Sequence, residues 1–225
     1  MPMSLLFLLL MGVPAKNAGY WRPGYVESHT YKLAESGIPG TSTYTLRSIL
    51  YDGKPALEVE VETHRVLMLG AQQGKLESHS NTFMDPTNFN LLESRLTTTM
   101  NGVAQSRLHA ERIGDSIEVR QKLYGSPLSV RTVAAHGAAI DENALNFFLE
   151  RQDWVAGKTV EWQRYNAAQS RLQPNKATLE KADADKLRIK LESDIGPSYY
   201  EIRRGADPVV TRVEAVGAEQ MHLEP

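Results

Sequence analysis

Histidines and carboxylates are the side chains of this sequence that could bind a metal ion or transfer protons. His64 and His79 could meet across a hairpin, where a metal site would also need carboxylates such as Glu62 or Glu77. Polar residues that alternate along a strand lie on its solvated face. We therefore favour solvated strand histidines and predict no metal site. The six histidines are His29, His64, His79, His109, His136 and His222.

Three glutamates, Glu58, Glu60 and Glu62, form the densest group of carboxylates. General acid–base catalysis needs two carboxyl groups in different environments, one of them desolvated so that its pKa rises. These glutamates alternate with apolar residues, so we interpret them as a solvated strand face. The sequence also lacks a Gly-x-Ser-x-Gly elbow, a phosphate loop, a dinucleotide fingerprint and a His-Glu-x-x-His motif. We predict no catalytic residue, no cofactor and no enzymatic activity; a hydrolase using His64 and His79 is the weakest hypothesis.

The composition argues against further classes of function. The 225 residues include no cysteine, which excludes disulfides, thiol nucleophiles, zinc–thiolate sites and a lipid-modified cysteine. With 25 Lys and Arg against 27 Asp and Glu, the formal net charge is -2. This balance gives no general attraction to nucleic acid, although the net charge would not reveal a local basic patch.

Aromatic residues cluster in the second half of the chain. If a sheet curves around a helix, some of them could line an apolar groove that holds an acyl chain or a similar ligand. The alternative is that they form the core, because a helix on a sheet needs large side chains to fill the gap between the layers. The core is the favoured interpretation. The candidate ligand-binding residues are Phe147, Phe148, Trp162 and Tyr199.

Alternation of apolar and polar residues predicts the strands that would position these side chains. It is clearest at 57–62 and 187–192 and weaker in four other segments. Strands with one wet face usually belong to antiparallel sheets. Asp52-Gly53, Asn101-Gly102 and Gly114-Asp115 supply the positive φ angles of tight hairpins. The four weaker segments are 44–51, 117–123, 160–165 and 209–216.

A single short helix is predicted after residue 140. Asp141 is a suitable N-cap and Arg151 is favourable at the carboxyl end. The apolar stripe of Leu145, Phe148 and Leu149 has helical spacing and should pack against the sheet. The preceding segment, 125–139, is rich in small residues, and we expect it to be a connection between two halves of the sheet.

The order of these features resembles a group of exported bacterial proteins known as domain-of-unknown-function family 3108. The resemblance spans about residues 25–216 and implies no established activity. It implies a mainly β fold: a large, curved, half-barrel-like antiparallel sheet with one short helix packed against it, similar to lipoprotein carriers. The residues that carry it are Gly-Ile-Pro-Gly at 37–40, the Thr-rich 41–45, Asp-Gly-Lys-Pro-Ala at 52–56, Glu77-Ser78, Asp85, the helix at 143–151, Val-Ala-Gly-Lys-Thr at 155–159, Tyr-Tyr-Glu at 199–201, Asp207-Pro208 and Arg-Val-Glu at 212–214.

The first residues are typical of an export signal. An uncharged apolar run at 5–13 is too short to span a bilayer. Small residues then follow where a signal peptidase would cleave, with Ala15 or Ala18 as the last residue of the signal. The segment before residue 5 carries no Lys or Arg, which departs from the usual signal. We expect a signal peptide at 1–18, a single β domain at 19–225 and a periplasmic or secreted location.

These features favour a periplasmic binding or carrier module for a lipid or another apolar or amphipathic ligand, held between the sheet and its helix. The alternative is an envelope scaffold that pairs an exposed sheet edge or surface patch with a partner protein. A hollow space between sheet and helix would favour the carrier, and a filled one the scaffold. No nucleic-acid partner is expected.

Overall fold

The computed structural model describes residues 20–34, 38–69, 72–194, 196–215 and 218–225. The predicted signal peptide lies outside these ranges. Fifteen strands and one short helix make up the described chain. The strands are β1 Val26–Leu33, β2 Gly40–Tyr51, β3 Lys54–Leu69, β4 Gln72–Met84, β5 Leu91–Met100, β6 Val103–Ile113, β7 Ser116–Leu123, β8 Leu128–Ala134, β9 Ala139–Asp141, β10 Thr159–Asn166, β11 Arg171–Ala182, β12 Lys186–Ser193, β13 Gly196–Arg203, β14 Val209–Ala215 and β15 Ala218–Leu223.

All fifteen strands form one sheet in the order β8-β7-β6-β5-β4-β3-β2-β1-β15-β14-β13-β12-β11-β10-β9. Neighbours are antiparallel except β9 and β10, which are parallel. The turns have the predicted chemistry, since Asp52 and Asn101 have φ of 48° and 51° and each precedes a glycine that also has positive φ. The predicted fold class is therefore confirmed: a large, mainly antiparallel, curved sheet that does not close, with one short helix.

The sheet rolls so far that its two ends overlap. Trp162 of β10 packs in the buried cluster that contains the helix. Tyr165, three residues further on and thus on the opposite face of β10, packs with Leu108 and Val119 of β6 and β7 in a second cluster. β10 is consequently covered on both faces. We call the concave face, which carries Leu57 and Trp162, the inner face, and the other the outer face.

The helix lies inside this roll. A 3-10 turn at Glu142–Ala144 leads into helix α1, Leu145–Glu150, and the Asp141 carboxylate accepts a hydrogen bond from the Asn143 N–H, as expected of an N-cap. All six residues of α1 are buried. The predicted apolar stripe therefore understates the packing, because the roll encloses the helix on every side. No described helix is long and apolar enough to span a membrane.

The segment 125–139 is not simply a connection, which corrects the expectation from its composition. Residues Leu128–Ala134 form the edge strand β8, and only the stretch after it crosses to the other edge of the sheet at β9. Strand β8 is exposed at its first five positions. Both of its faces are wet there, and Leu128 and Val130 alternate with Ser129 and Arg131 only briefly before Val133 breaks the phase, so the pattern is too short to reveal a strand.

Candidate functional site

The aromatic residues predicted to bind a ligand lie mostly in the packed core. Phe148 and Trp162 meet edge to face with ring centroids 5.1 Å apart. Phe147 is fully buried beside His29, at a centroid distance of 5.9 Å. The space between sheet and helix is thus filled by side chains. This arrangement agrees with the core interpretation of these three residues.

Tyr199 lies apart from the other three candidates. Its ring stacks under the guanidinium of Arg188, 4.5 Å from the ring centroid. Its neighbour Tyr200 is the one that points inward, and it is buried opposite Ile189 of β12. The sequence analysis named Tyr199 as the candidate, but the choice between Tyr199 and Tyr200 depends on the register between β12 and β13.

The histidines considered as metal ligands occupy the outer face of β3 and β4. His64 contacts Glu77 at 3.2 Å, whereas His79 contacts Glu60 at 2.9 Å. The two histidines therefore pair with different carboxylates. Hydrogen bonds from His79 and Arg47 hold the pKa of Glu60 below its usual range. Glu60, Glu62 and His79 lie close enough to share an ion, but their exposure and the Arg47 contact are typical of a solvated ion-pair ladder.

A charged cluster at the carboxyl end of α1, buried at Glu150 and half-buried elsewhere, was missed by the sequence analysis. We call it the charged lock, and it consists of Glu27, His29, Glu150 and Arg151. The Arg151 guanidinium contacts Glu27 at 2.5 Å and Glu150 at 3.4 Å. Glu150 Oε1 also accepts a 2.7 Å hydrogen bond from the Val210 N–H. These contacts fix the helix to β1 and β14 at the same time.

The two acids of the charged lock, Glu27 and Glu150, have pKa values shifted in opposite directions. Burial raises the pKa of Glu150 to about 7. Burial also acts on Glu27, but hydrogen bonds from His29 and Tyr25 and the charge of Arg151 outweigh it and lower the pKa of Glu27 to about 2. Glu27, His29 and Glu150 have metal-ligating atoms within 4.8 Å of one another. The Arg151 cation already pairs with both carboxylates, so we assign the cluster a structural role.

The inner face is only partly covered at the end of the sheet where β3 meets β4 and β5 meets β6. Leu67, Leu76, Met100 and Leu123 point inward there, because Leu76 lies opposite Met100 and their positions alternate in phase with buried Val61. They belong to neither buried cluster; Leu123 is 45% exposed and the other three are half-buried. We call the surface formed by these four side chains the open groove.

Hydroxyl groups and one cation lie among the apolar side chains of the open groove. Inward-facing hydroxyl residues separate its apolar side chains along the strands; they are Thr63, Ser78, Thr98 and Ser106. The cation is Arg65, which lies opposite Leu76 and alternates onto the inner face in phase with Leu67. A cleft of about 520 Å³ at the ends of β1 to β3 is lined by Arg65 and by basic residues of the outer face, namely Lys32, His64, Lys75 and His222. An apolar floor with an arginine beside it can hold an acyl chain and an anionic head group.

Comparisons with known proteins bear on the fold. No protein-family model and no curated protein matches the sequence. Among solved structures, the chain is similar to a crystal structure of a β-barrel-like protein of the domain of unknown function DUF1849 from Brucella abortus. The identity is 11%, the alignment covers 88% of this chain and 95% of that chain, and the TM-score is 0.59. At this identity the similarity shows the fold alone, a β-barrel-like sheet found in a family without assigned function.

Proposed function

We propose that this protein is a binding or carrier module for an amphipathic lipid whose acyl chain lies in the open groove. The observation that carries the proposal is the partly exposed apolar surface of Leu67, Leu76, Met100 and Leu123 on an inner face that is otherwise filled. Phe147 and its neighbours fill the space next to the helix. The proposed ligand site is therefore at the open end of the roll and not in that space.

The energetics suit a chain-shaped ligand. Removing a methylene group from water is worth about 0.8 kcal/mol, so roughly ten methylenes in contact with the groove would supply about 8 kcal/mol before the cost of association. The hydroxyl residues between the apolar positions allow water to enter the groove when no ligand is bound. Arg65, opposite Leu76 on the inner face, favours a carboxylate or phosphate head group over a cationic one.

The proposal also covers the cellular location of the protein, its family and the absence of catalysis. The apolar run at 5–13 supports export by a signal peptide at 1–18 to the periplasm or beyond. The order of strands and turns supports membership of domain-of-unknown-function family 3108. The exposed hydrogen bonds of His64 to Glu77 and of His79 to Glu60 support a binding protein rather than an enzyme.

Displacement of a fluorescent C18 fatty acid tests the proposal directly. The purified chain should bind the probe, and Leu76→Gln in the open groove should weaken binding at least tenfold, because a buried amide replaces apolar contact. Leu50→Gln is the matched control, since Leu50 is 64% exposed at the opposite end of the sheet, and it should bind as the parent does. Mass spectrometry of organic extracts from the purified protein should find a co-purified lipid. No probe binding and no extracted lipid would refute the carrier function.

The envelope scaffold remains a second candidate because β8 is an exposed edge. Within the described residues β8 pairs only with β7, and Val130 at its middle is 58% exposed. Exposed apolar edges are templates for strand addition by a partner. A stoichiometric partner retained from native membranes by the parent chain but lost with Val130→Lys would favour the scaffold.

A further inference from the structure

Exposed apolar side chains concentrate at one end of the sheet. The β3–β4, β5–β6 and β7–β8 turns all lie at this end, because consecutive strands are antiparallel neighbours. Five large apolar residues flank these turns and are 45–72% exposed; they are Val66, Met68, Val103, Tyr124 and Leu128. We call this surface the tip surface. Monomeric soluble proteins rarely leave so many large apolar side chains in one exposed region without a partner.

Charge is distributed unevenly between the two ends of the same strands. Around the tip surface, residues 63–79, 96–109 and 121–131 contain five basic residues and one acidic residue, a net charge of +4. Around the opposite turns, residues 49–58, 83–95 and 109–119 contain three basic and seven acidic residues, a net charge of -4. The whole chain has a net charge of -2. The basic residues of the tip surface are Arg65, Lys75, Arg107, Lys122 and Arg131.

The opposite end provides an internal comparison for the apolar residues as well. Among the described residues at that end, Leu50 and Ile113 beside the turns and Val26 at the start of β1 are large, apolar and exposed, and the turns themselves carry Asp52, Asp85 and Asp115. Hydrophobic exposure and positive charge thus coincide at one end, and acidic residues predominate at the other. A molecule with this asymmetry would orient with its basic end towards a negatively charged surface.

We propose that the tip surface docks onto the surface of an anionic lipid bilayer. Three hairpins would bring Met68, Val103 and Tyr124 to the level of the head groups, where amphipathic tyrosine is favoured. Each basic residue near an anionic membrane adds about fivefold to the partition coefficient. Exposed apolar side chains mixed with basic ones match the two parts of an anionic bilayer surface, its acyl boundary and its head groups.

This docking goes beyond the proposed function and does not depend on it. The open groove lies at the same end as the tip surface, because Leu76 and Met100 are on strands that end in the β3–β4 and β5–β6 turns. A docked molecule would therefore present the groove to the bilayer, and a lipid could enter it without crossing water. The surface binding itself needs only the exposed residues of the hairpins.

Flotation of the full chain with lipid vesicles tests the inference. Vesicles of phosphatidylcholine with 30% phosphatidylglycerol, as a chosen probe, should bind the chain at least tenfold more strongly than pure phosphatidylcholine vesicles. Met68→Ser combined with Tyr124→Ser should reduce binding at least tenfold. Leu50→Ser combined with Ile113→Ser, at the opposite end, is the matched control and should leave binding unchanged. Thermal melts of all variants confirm that they fold.

Two outcomes would overturn the inference. One is equal binding to neutral and anionic vesicles, or none to either; the other is equal loss in the tip and control variants. If the chain instead forms a dimer that Met68→Ser and Tyr124→Ser dissociate, with no vesicle binding, the tip surface joins copies of the chain and the inference is wrong. Leu76→Gln separates the two proposals, because it should abolish binding of the fatty acid and leave vesicle binding intact.

Discussion

Glutamine at position 150 should stabilise the protein at alkaline pH and remove part of its pH dependence. Glu150 is buried at the carboxyl end of α1, and burial raises its pKa from 4.5 to about 7. A carboxyl group with a raised pKa stabilises the fold while it is protonated. Its contribution is complete below about pH 4.5 and is lost as the pH rises through about 7.

The magnitude follows from the same two values. At 1.36 kcal/mol for each pKa unit, a rise from 4.5 to about 7 corresponds to about 3 kcal/mol of unfolding free energy lost between acidic and alkaline pH. Glutamine keeps an oxygen for the Val210 N–H but loses the weak contact with Arg151. We therefore expect Glu150→Gln to be about 1–3 kcal/mol more stable than the parent at pH 8. At pH 4.5 the two should be nearly equal.

Urea unfolding between pH 4.5 and pH 8 measures this difference. Glu161→Gln is the matched control, because Glu161 is exposed on β10 and its curve should follow the parent. The pKa of Asp141 is raised by burial too, so the parent and control should both lose stability with rising pH. Glu27, with its pKa lowered to about 2, loses its contribution only at much lower pH. Parallel curves for the parent and Glu150→Gln over this range would refute the reasoning.

Three further changes probe the fold. Phe147→Ala should lower the unfolding free energy by about 3–5 kcal/mol in urea, because this fully buried ring lies in the main core; a loss below 1 kcal/mol would contradict the packing. Gly40→Ala would place a Cβ atom 2.8 Å from Arg65 Cγ and even closer to a carbonyl oxygen, so it should cost about 1–3 kcal/mol, and no loss on thermal melting would contradict the close approach. Arg151→Met leaves the buried Glu150 and the half-buried Glu27 without their cation, so it should cost about 3–5 kcal/mol at pH 8. That loss should shrink at pH 5, where Glu150 is protonated; a loss independent of pH would argue against the charged lock.

Alternation of residue type was sufficient to predict the β architecture. The segments 57–62 and 187–192 lie in β3 and β12, with their apolar residues on the inner face as expected. The four weaker segments lie in β2, β7, β10 and β14 as far as the described residues extend. Such patterns identify strands because burial on one face imposes a period of two. Strand β8 is exposed on both faces along most of its length, so its residue pattern did not identify it as a strand.

The functional features depend on contacts that no local pattern encodes. The charged lock joins Glu27 to Arg151, 124 residues apart. The outward position of Tyr199 depends on its pairing with β12. The open groove is equally hidden, because the inward-facing Leu76 has the same alternation as the buried Val61. Only the position of the helix decides which of these two is covered.

A mismatch in length explains why the roll is filled at one end and open at the other. Helix α1 has six residues and is therefore about 9 Å long at 1.5 Å per residue. Strand β3 has sixteen residues and extends roughly 50 Å at about 3.3 Å per residue. A helix about 9 Å long covers Val61 and the inward positions before it, but it does not extend to Leu67. Unless the sheet closed or a second helix entered, this end of the inner face would stay uncovered, so the open groove follows from the geometry that builds the core.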